Sequence, residues 1–335
     1  MPAIRELNPS YFALVMATGI VARATRLDDV LVLSDALLAT ALLAFVVMSG
    51  AYALRLAWYH REFAADTRDP RRAFGFFTFG AAAGVLAAPL AASGDVAPAA
   101  LLLILAAAGW LLASYSVPLL VGGEQTLRPP LAGANGTWFV WIVGAQSVAV
   151  AATAFPAPVP TTLSALAICC WAIGVVLYLV VAVLVVTARL EFRLRPADPT
   201  APYWVFTGAT AISVLAGSQI LRLRGDALAA AVHPVTAGLS VMLWAFGTWL
   251  IPLLVALAVW RHLLCRVSLR YEPAFWAVVF PVGMYGVASR ALGAVLHVSW
   301  LVTLGRYEAW LALAAWAVVA AAMAVAALRR RGSQE

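Results

Sequence analysis

Apolar residues recur in long runs along the whole chain, separated by short polar segments. A bilayer core about 30 Å thick needs roughly 20 helical residues to cross it. Runs of that kind predict ten transmembrane helices, near residues 10–25, 33–57, 74–93, 97–120, 136–155, 162–188, 203–222, 234–262, 273–296 and 307–328. Because no long polar interval divides them, we predict a single integral membrane domain over residues 1–335.

The odd-numbered segments share a residue pattern that the even-numbered ones lack. Each begins with aromatic residues and continues with glycine, alanine and hydroxyl residues, as in F-G-F-F-T-F-G at 74–80. Their starts near 10, 74, 136, 203 and 273 recur with the period of one helical hairpin. We therefore predict an all-α membrane protein whose five helical hairpins surround a central pore, with the small-residue helices inside. An aromatic belt at the membrane interface is the alternative explanation of the pattern.

Composition supports a membrane location and indicates an orientation. The chain is 64% hydrophobic and 11% charged, with a net charge of +7. Sixteen of its 22 basic residues lie at the termini or after even-numbered segments, so the positive-inside rule places both termini in the cytoplasm. We expect a multi-pass protein of the inner (plasma) membrane. All basic residues are arginine, which disfavours chemistry that depends on lysine, such as a retinal Schiff base, pyridoxal phosphate or a P-loop.

The ninth segment, near residues 273–296, combines features of a pore wall. Pro281 and Gly283 predict a kink, which is tolerated at membrane depth where a helix lines a cavity. Phe280 directly precedes the kink and is our candidate gate, although packing between helices is the ordinary role of such a residue. Arg290, about 15 Å further along the helix axis, is a candidate source of positive potential; snorkelling to the outer interface is its alternative.

Further candidates for the pore lining are aromatic and polar residues of the odd-numbered segments. They are Phe12, Thr18, Phe79, Phe139, Gln146, Phe206 and Thr210, with Ser147, Thr207, Ser213 and Gln219 as further polar side chains that could offer hydrogen-bond donors to a passing carboxylate. Small hydroxyl groups also bond to carbonyls of their own helix, so a structural role is the alternative for the threonines. We find no carboxylate in the middle of a predicted segment, which favours a channel or facilitator over a cation-coupled carrier. The histidine and cysteine spacings indicate no metal or cofactor site, and we expect no nucleic-acid partner.

Three motifs resemble those of a known family. They are N-P-S-Y-F-A-L-V-M-A-T-G-I at 8–20, N-G-T-W-F at 135–139 and W-A-V-V-F-P-V-G-M-Y at 276–285. They are similar to the tellurite-resistance/dicarboxylate transporter family, which includes malate permeases, sulfite efflux pumps and slow anion channels. The resemblance implies a pore built from the odd helices, a homotrimer of separately conducting subunits, and a pore-occluding phenylalanine that corresponds to Phe280.

These observations together predict a membrane transport protein and no enzyme. The expected substrate is a small anion, with a C4-dicarboxylate such as malate or succinate favoured, moving through a phenylalanine-occluded pore. A proton-coupled exporter of sulfite or tellurite is one alternative. A membrane-embedded enzyme that modifies lipid is another.

Overall fold

All regular structure in the described part of the chain is helical, as predicted. The computed structural model describes residues 2–123, 130–192, 195, 196, 198 and 200–332. Its long helices are α1 Ala13–Leu27, α2 Leu31–Trp58, α3 Phe77–Ser93, α4 Val96–Gly123, α5 Val140–Ala152, α6 Thr161–Glu191, α7 Val205–Ile220, α8 Ala227–Val259, α9 Trp276–Leu296 and α10 Ser299–Gly332. A short helix, His60–Arg68, lies between α2 and α3, and a π-helical turn, Trp260–Leu264, continues α8.

Seven segments are long and apolar enough to cross a membrane. They are Leu31–Trp58, Ala73–Ser93, Val96–Gly123, Thr161–Glu191, Ala227–Leu264, Pro273–Leu296 and Ser299–Arg329. The segment Gly136–Ala152 is apolar but shorter, and α1 and α7 are also short, with 15 and 16 residues. Length and composition thus give seven candidate membrane spans in the described residues, and the crossing of α1, α5 and α7 stays a prediction.

The odd-numbered helices form the interior of the molecule. In the most apolar 18-residue stretch of each segment, 78% of the residues are buried for the segment that contains α3 and 67% for the one that contains α9. The value for α10 is 6%. Within the described chain, α1 packs against α3, α3 against α5, α5 against α7, α7 against α9, and α9 against α1. These contacts close a ring of five helices. Small residues allow the close approach: a β-carbon on Gly84 of α3 would come within 2.7 Å of the Ser147 β-carbon on α5.

The even-numbered helices lie outside this ring. Each of them packs against the inner helix that precedes it in the chain. Their outward faces carry exposed large apolar side chains, among them Leu43, Leu112, Val183, Met242 and Val318. An apolar outer face of this kind is suited to contact with lipid tails, which offer no hydrogen-bond partners.

Every inner helix begins with one turn of 3₁₀-helix. These turns are Pro9–Phe12, Ala73–Phe76, Gly136–Phe139, Ala201–Trp204 and Pro273–Phe275, and they contain many of the aromatic residues seen in the sequence repeat. Asparagine caps two of them: Asn8 Oδ1 accepts a hydrogen bond from the Ser10 amide at 2.9 Å, and Asn135 Oδ1 accepts one from the Thr137 amide at 2.8 Å. The repeat thus marks helix starts as well as helix spacing.

Candidate permeation pathway

A large cavity opens where the five inner helices begin. Its volume is about 960 Å³, and we call it the vestibule. Each inner helix contributes to its wall, with Met16, Thr78, Val140, Val205 and Ala277 among the lining residues. Phe280 is the lining residue furthest along α9, and only 1% of its surface is exposed.

A second, narrow cavity lies further along the same five helices. Its volume of about 10 Å³ is close to that needed for a single water molecule. It is lined by Gly19, Ile20, Arg23, Val85, Ser147, Val150, Ile212 and Met284. On each inner helix, a residue that lines the narrow cavity comes four to seven positions after a residue that lines the vestibule. On α1, for example, Ile20 follows Met16, and on α5, Ser147 follows Val140. The same five helices therefore enclose both cavities, at levels roughly 6–10 Å apart along the helices.

Phe280 lies at the level where the vestibule ends. Met284, one helical turn further on α9, belongs to the narrow cavity. Helix α9 is continuous from Trp276 to Leu296, so Pro281 removes one helix hydrogen bond without ending the helix. Gly283 lets α9 approach its neighbours, because a β-carbon there would be 3.0 Å from Ile20 of α1 and 3.5 Å from Ala312 of α10. The predicted gate is thus held in a tightly packed part of the ring.

The vestibule has a mixed but mainly positive lining. Arg71, Arg189 and Arg195 line it together with Glu191 and Asp198. Asp198 Oδ2 accepts a hydrogen bond from the Arg195 amide at 2.9 Å, and Arg189 donates one to the Ala134 carbonyl at 3.1 Å. The amino-terminal ends of five helices also meet here, and each adds partial positive charge from the helix dipole. This arrangement favours anions over cations.

The four predicted aromatic residues pack between helices. Phe12 and Phe79 lie in one cluster, with ring centroids 5.4 Å apart. Phe139 and Phe206 stack at 4.2 Å in another cluster, which also contains Tyr178 of α6. None of the four is among the lining residues of the vestibule or the narrow cavity in the described part of the chain. In this structure they join inner helices to each other and to outer helices.

The predicted polar residues also face neighbouring helices. Thr18 accepts a hydrogen bond from Trp316 Nε1 of α10 at 3.0 Å, and its own hydroxyl bonds to the Leu14 carbonyl. Gln146 Nε2 donates to the Trp171 carbonyl of α6 at 3.1 Å. Thr210 donates to the Thr207 carbonyl at 2.7 Å and lies against Gly247 of α8. Ser147, another polar residue of the predicted set, lines the narrow cavity, as does Gly19.

Arg290 is paired with the end of α1. Its Nη1 lies 2.5 Å from Asp28 Oδ1, and its Nη2 donates to the Leu27 carbonyl. Neither cavity wall contains it among the residues that the structure describes. The ion pair neutralises much of the charge that we assigned to the pathway from the sequence.

Two charged residues escaped the sequence analysis. Arg23, near the end of the first segment, lines the narrow cavity. Glu308 was placed at the very start of the last segment, but α10 begins earlier, at Ser299, so Glu308 is well inside the helix. One of its oxygens, Oε2, is buried and without a hydrogen-bond partner among the described residues. A charged residue close to the predicted end of an apolar segment is the sequence signal that both residues share.

The sequence profile described as voltage-dependent anion channel matches residues 6–324, which is nearly the whole chain. The chain belongs to the voltage-dependent anion channel family. This membership confirms the resemblance stated above, because slow anion channels are part of the family that the three motifs indicated. It also establishes the protein as a membrane transport protein of an anion-channel family.

Relatives of this member of the voltage-dependent anion channel family include membrane proteins and a transporter. An uncharacterized membrane protein of Mycobacterium tuberculosis, found in strains CDC 1551 and H37Rv, is 50% identical over 147 residues, which cover 44% of this chain and 75% of that protein. An uncharacterized transporter of Methanocaldococcus jannaschii is 22% identical over 329 residues, or 94% of this chain and 92% of that transporter. With the apolar helices, these relatives confirm a multi-pass membrane protein.

Proposed function

We propose that this protein conducts small anions along the axis of its five inner helices, with Phe280 as the gate. The observation that carries the proposal is that Phe280 is the last α9 residue of the vestibule wall and precedes, by one helical turn, Met284 of a second cavity enclosed by the same five helices. An aromatic ring there blocks the path without a charge, so a small movement of α9 suffices to open it. Ion pores of this kind need only weak interactions with the ion, because an ion that binds tightly cannot leave.

The charge of the vestibule supports anions as the permeant species. Five helix starts and three arginines surround this cavity, against two carboxylates. Converging positive charge raises the local concentration of anions at a pore entrance. The vestibule is also wide enough for a C4-dicarboxylate, and we propose malate or succinate as the substrate class.

The proposal includes a membrane arrangement. We propose that all ten long helices cross the membrane as five hairpins, including the short helices α1, α5 and α7, with both termini in the cytoplasm. Packing of each inner helix against the helix that follows it supports this arrangement. We also propose a homotrimer in which each subunit conducts separately, as the family resemblance implies.

The experiment is a flux panel with the purified protein in liposomes. Malate, succinate, chloride, nitrate and sulfite are loaded one at a time, and uptake is followed with and without a proton gradient. We expect anion flux that persists without the gradient, with potassium flux at background level. Equal potassium and anion flux would overturn the proposal, and a preference for chloride over malate would overturn the substrate class alone.

A proton-coupled exporter of sulfite or tellurite is the second candidate, and Glu308 is the observation that favours it. Glu308 lies within α10 and packs closely against α9: a β-carbon added to Gly286 of α9 would lie 3.0 Å from the Glu308 β-carbon. Tyr285, a titratable neighbour on α9, bonds through its hydroxyl to Thr248. Carboxylates at membrane depth often carry protons in coupled transporters. If flux requires a proton gradient and Glu308→Gln abolishes that requirement, the carrier is correct and the channel is not.

A further inference from the structure

We propose that Arg23 forms an anion-binding site in the narrow cavity, on the far side of Phe280 from the vestibule. The ligand is one compact anionic group, such as a halide, nitrate or one carboxylate of a dicarboxylate. This inference rests on the proposed function, because it assumes that anions pass along the axis. It adds a specific site to a pathway whose entrance is otherwise only generally positive.

The position of Arg23 is the first argument. It lies on α1, one turn beyond Gly19 and Ile20, and all three residues line the narrow cavity. The other lining residues are apolar or small, with Val85, Ile212 and Met284 among them. Arg23 is therefore the one cationic side chain among the described residues of this wall. An anion that has passed Phe280 meets it within about one or two helical turns.

The second argument is how the guanidinium is held. With the side-chain amide of Gln219 oriented to satisfy its neighbours, Gln219 Oε1 accepts a hydrogen bond from Arg23 Nη2 at 2.9 Å. The amide nitrogen then donates to Thr153 Oγ1 at 2.9 Å and to the Val150 carbonyl at 3.3 Å. Helices α1, α5 and α7 are thus joined through one amide. A guanidinium has five N–H donors, so this bond leaves others for a ligand.

The third argument is the missing counter-charge. Within the described chain Arg23 has no carboxylate partner, whereas its neighbours Arg26 and Arg290 are paired with Asp35 and Asp28. Arg23 is partly exposed, and a cation without a counter-charge between apolar helices commonly marks an ion pathway. A permeating anion supplies the missing charge.

The size of the cavity limits what binds. A space close to that of one water molecule admits one compact group at a time. Halide and nitrate ions are single compact groups, although each is larger than a water molecule, and a dicarboxylate can place only one carboxylate in the site. Both kinds of ligand make the same charge-assisted hydrogen bonds to a guanidinium.

The test combines a binding measurement and a flux measurement. Crystals of the full-length wild-type protein in bromide are expected to show anomalous density beside the Arg23 guanidinium. In liposomes, Arg23→Gln is expected to raise the half-saturating concentration of nitrate or malate on the Arg23 side by about tenfold or more. Saturation from the vestibule side should change less. Arg26→Gln is the matched control, because it removes the same charge three residues away and should leave saturation unchanged.

The outcomes separate this inference from the proposed function. If the wild type conducts anions but shows no bromide at Arg23, and Arg23→Gln saturates normally, the site is wrong and the channel stands. If bromide binds at Arg23 but no anion is transported, the channel is wrong. If Arg26→Gln raises the half-saturating concentration as much as Arg23→Gln does, the effect comes from general surface potential, and the proposed site is wrong. If Arg23→Gln does not fold, two measurements still test the site. They are the bromide density of the wild-type crystals and the anion saturation of Gln219→Leu, in which the Arg23 guanidinium loses its hydrogen-bond acceptor.

Discussion

Pro281 and Gly208 touch across the interface between α9 and α7. A β-carbon on Gly208 would lie 2.9 Å from Pro281 Cγ and 3.2 Å from Pro281 Cβ. Such a distance leaves no room for a side chain on α7 at this level. Because Pro281 follows Phe280 directly, the contact fixes the turn of α9 that carries the proposed gate. The glycine of α7 is thus a structural condition for the observed position of Phe280.

Gly208→Ala is therefore expected to destabilise the protein by about 1–3 kcal/mol, since overpacking forces two helices apart. Thermal unfolding in detergent measures this. The matched control is Gly50→Ala on α2, where no atom lies within 4 Å of the added carbon. That change should be neutral or stabilising by up to about 1 kcal/mol. Equal melting temperatures for the two variants would contradict the packing argument.

Phe280→Ala is expected to raise anion flux severalfold, because it removes the large side chain at the end of the vestibule wall, one helical turn before Met284 of the narrow cavity. Liposome uptake of the anion that the wild type prefers is the measurement. Phe139→Ala is a suitable control, because Phe139 is equally buried but stacks on Phe206 between α5 and α7. Its loss should lower stability by about 3–5 kcal/mol without opening the path. Unchanged flux in a normally folded Phe280→Ala protein would reject the gate.

Thr18→Val tests whether a polar residue predicted for the pore has a structural role. The change leaves Trp316 Nε1 of α10 without its acceptor in an apolar setting, which costs about 1–3 kcal/mol. We expect a lower melting temperature and unchanged anion selectivity. Thr40→Val on α2 is the control, because its exposed hydroxyl bonds only to the Ala36 carbonyl of its own helix. A change in selectivity without loss of stability would place Thr18 in the pathway instead.

Asp66 forms the most buried ion pair in the described part of the chain. Its carboxylate lies 2.7 Å from Arg55 Nη2 and 3.0 Å from Arg72 Nη1. Asp66→Asn leaves Arg55 buried without a counter-charge, so we expect a loss of about 3–5 kcal/mol in the free energy of unfolding. The exposed pair of Arg26 and Asp35 offers the comparison: Asp35→Asn should cost less than about 1 kcal/mol. Similar losses for both variants would contradict this difference.

The hydropathy pattern located the helices well, because burial in lipid requires long apolar runs whatever their neighbours are. The 62- to 70-residue repeat also distinguished inner from outer helices, since small residues at 80–84 or 208–211 are needed only where helices pack on both sides. Helix ends were less certain. Helix α10 begins at Ser299 rather than at residue 307, which moves Glu308 into the helix.

The residues predicted to line the pore show what the sequence could not predict. Thr18 and Gln146 are polar residues on inner helices, as expected for a pore, yet they bond to Trp316 and to the Trp171 carbonyl of outer helices. Ser147, a further polar candidate, lies on the narrow cavity together with Gly19, which the sequence did not single out. The role of Arg23 depends equally on Gln219, which is distant in sequence. Nothing in the sequence links these two residues.

By itself the sequence determined that this chain is a helical membrane protein, which of its segments are inner helices, and that Phe280 is the aromatic residue to test. Tertiary structure alone decided which face of each inner helix meets the axis. The reason is geometric: consecutive residues of an α-helix point about 100° apart, so a rotation by one residue exchanges pore wall for helix interface. That rotation is set by packing between all five helices at once, and no single segment encodes it.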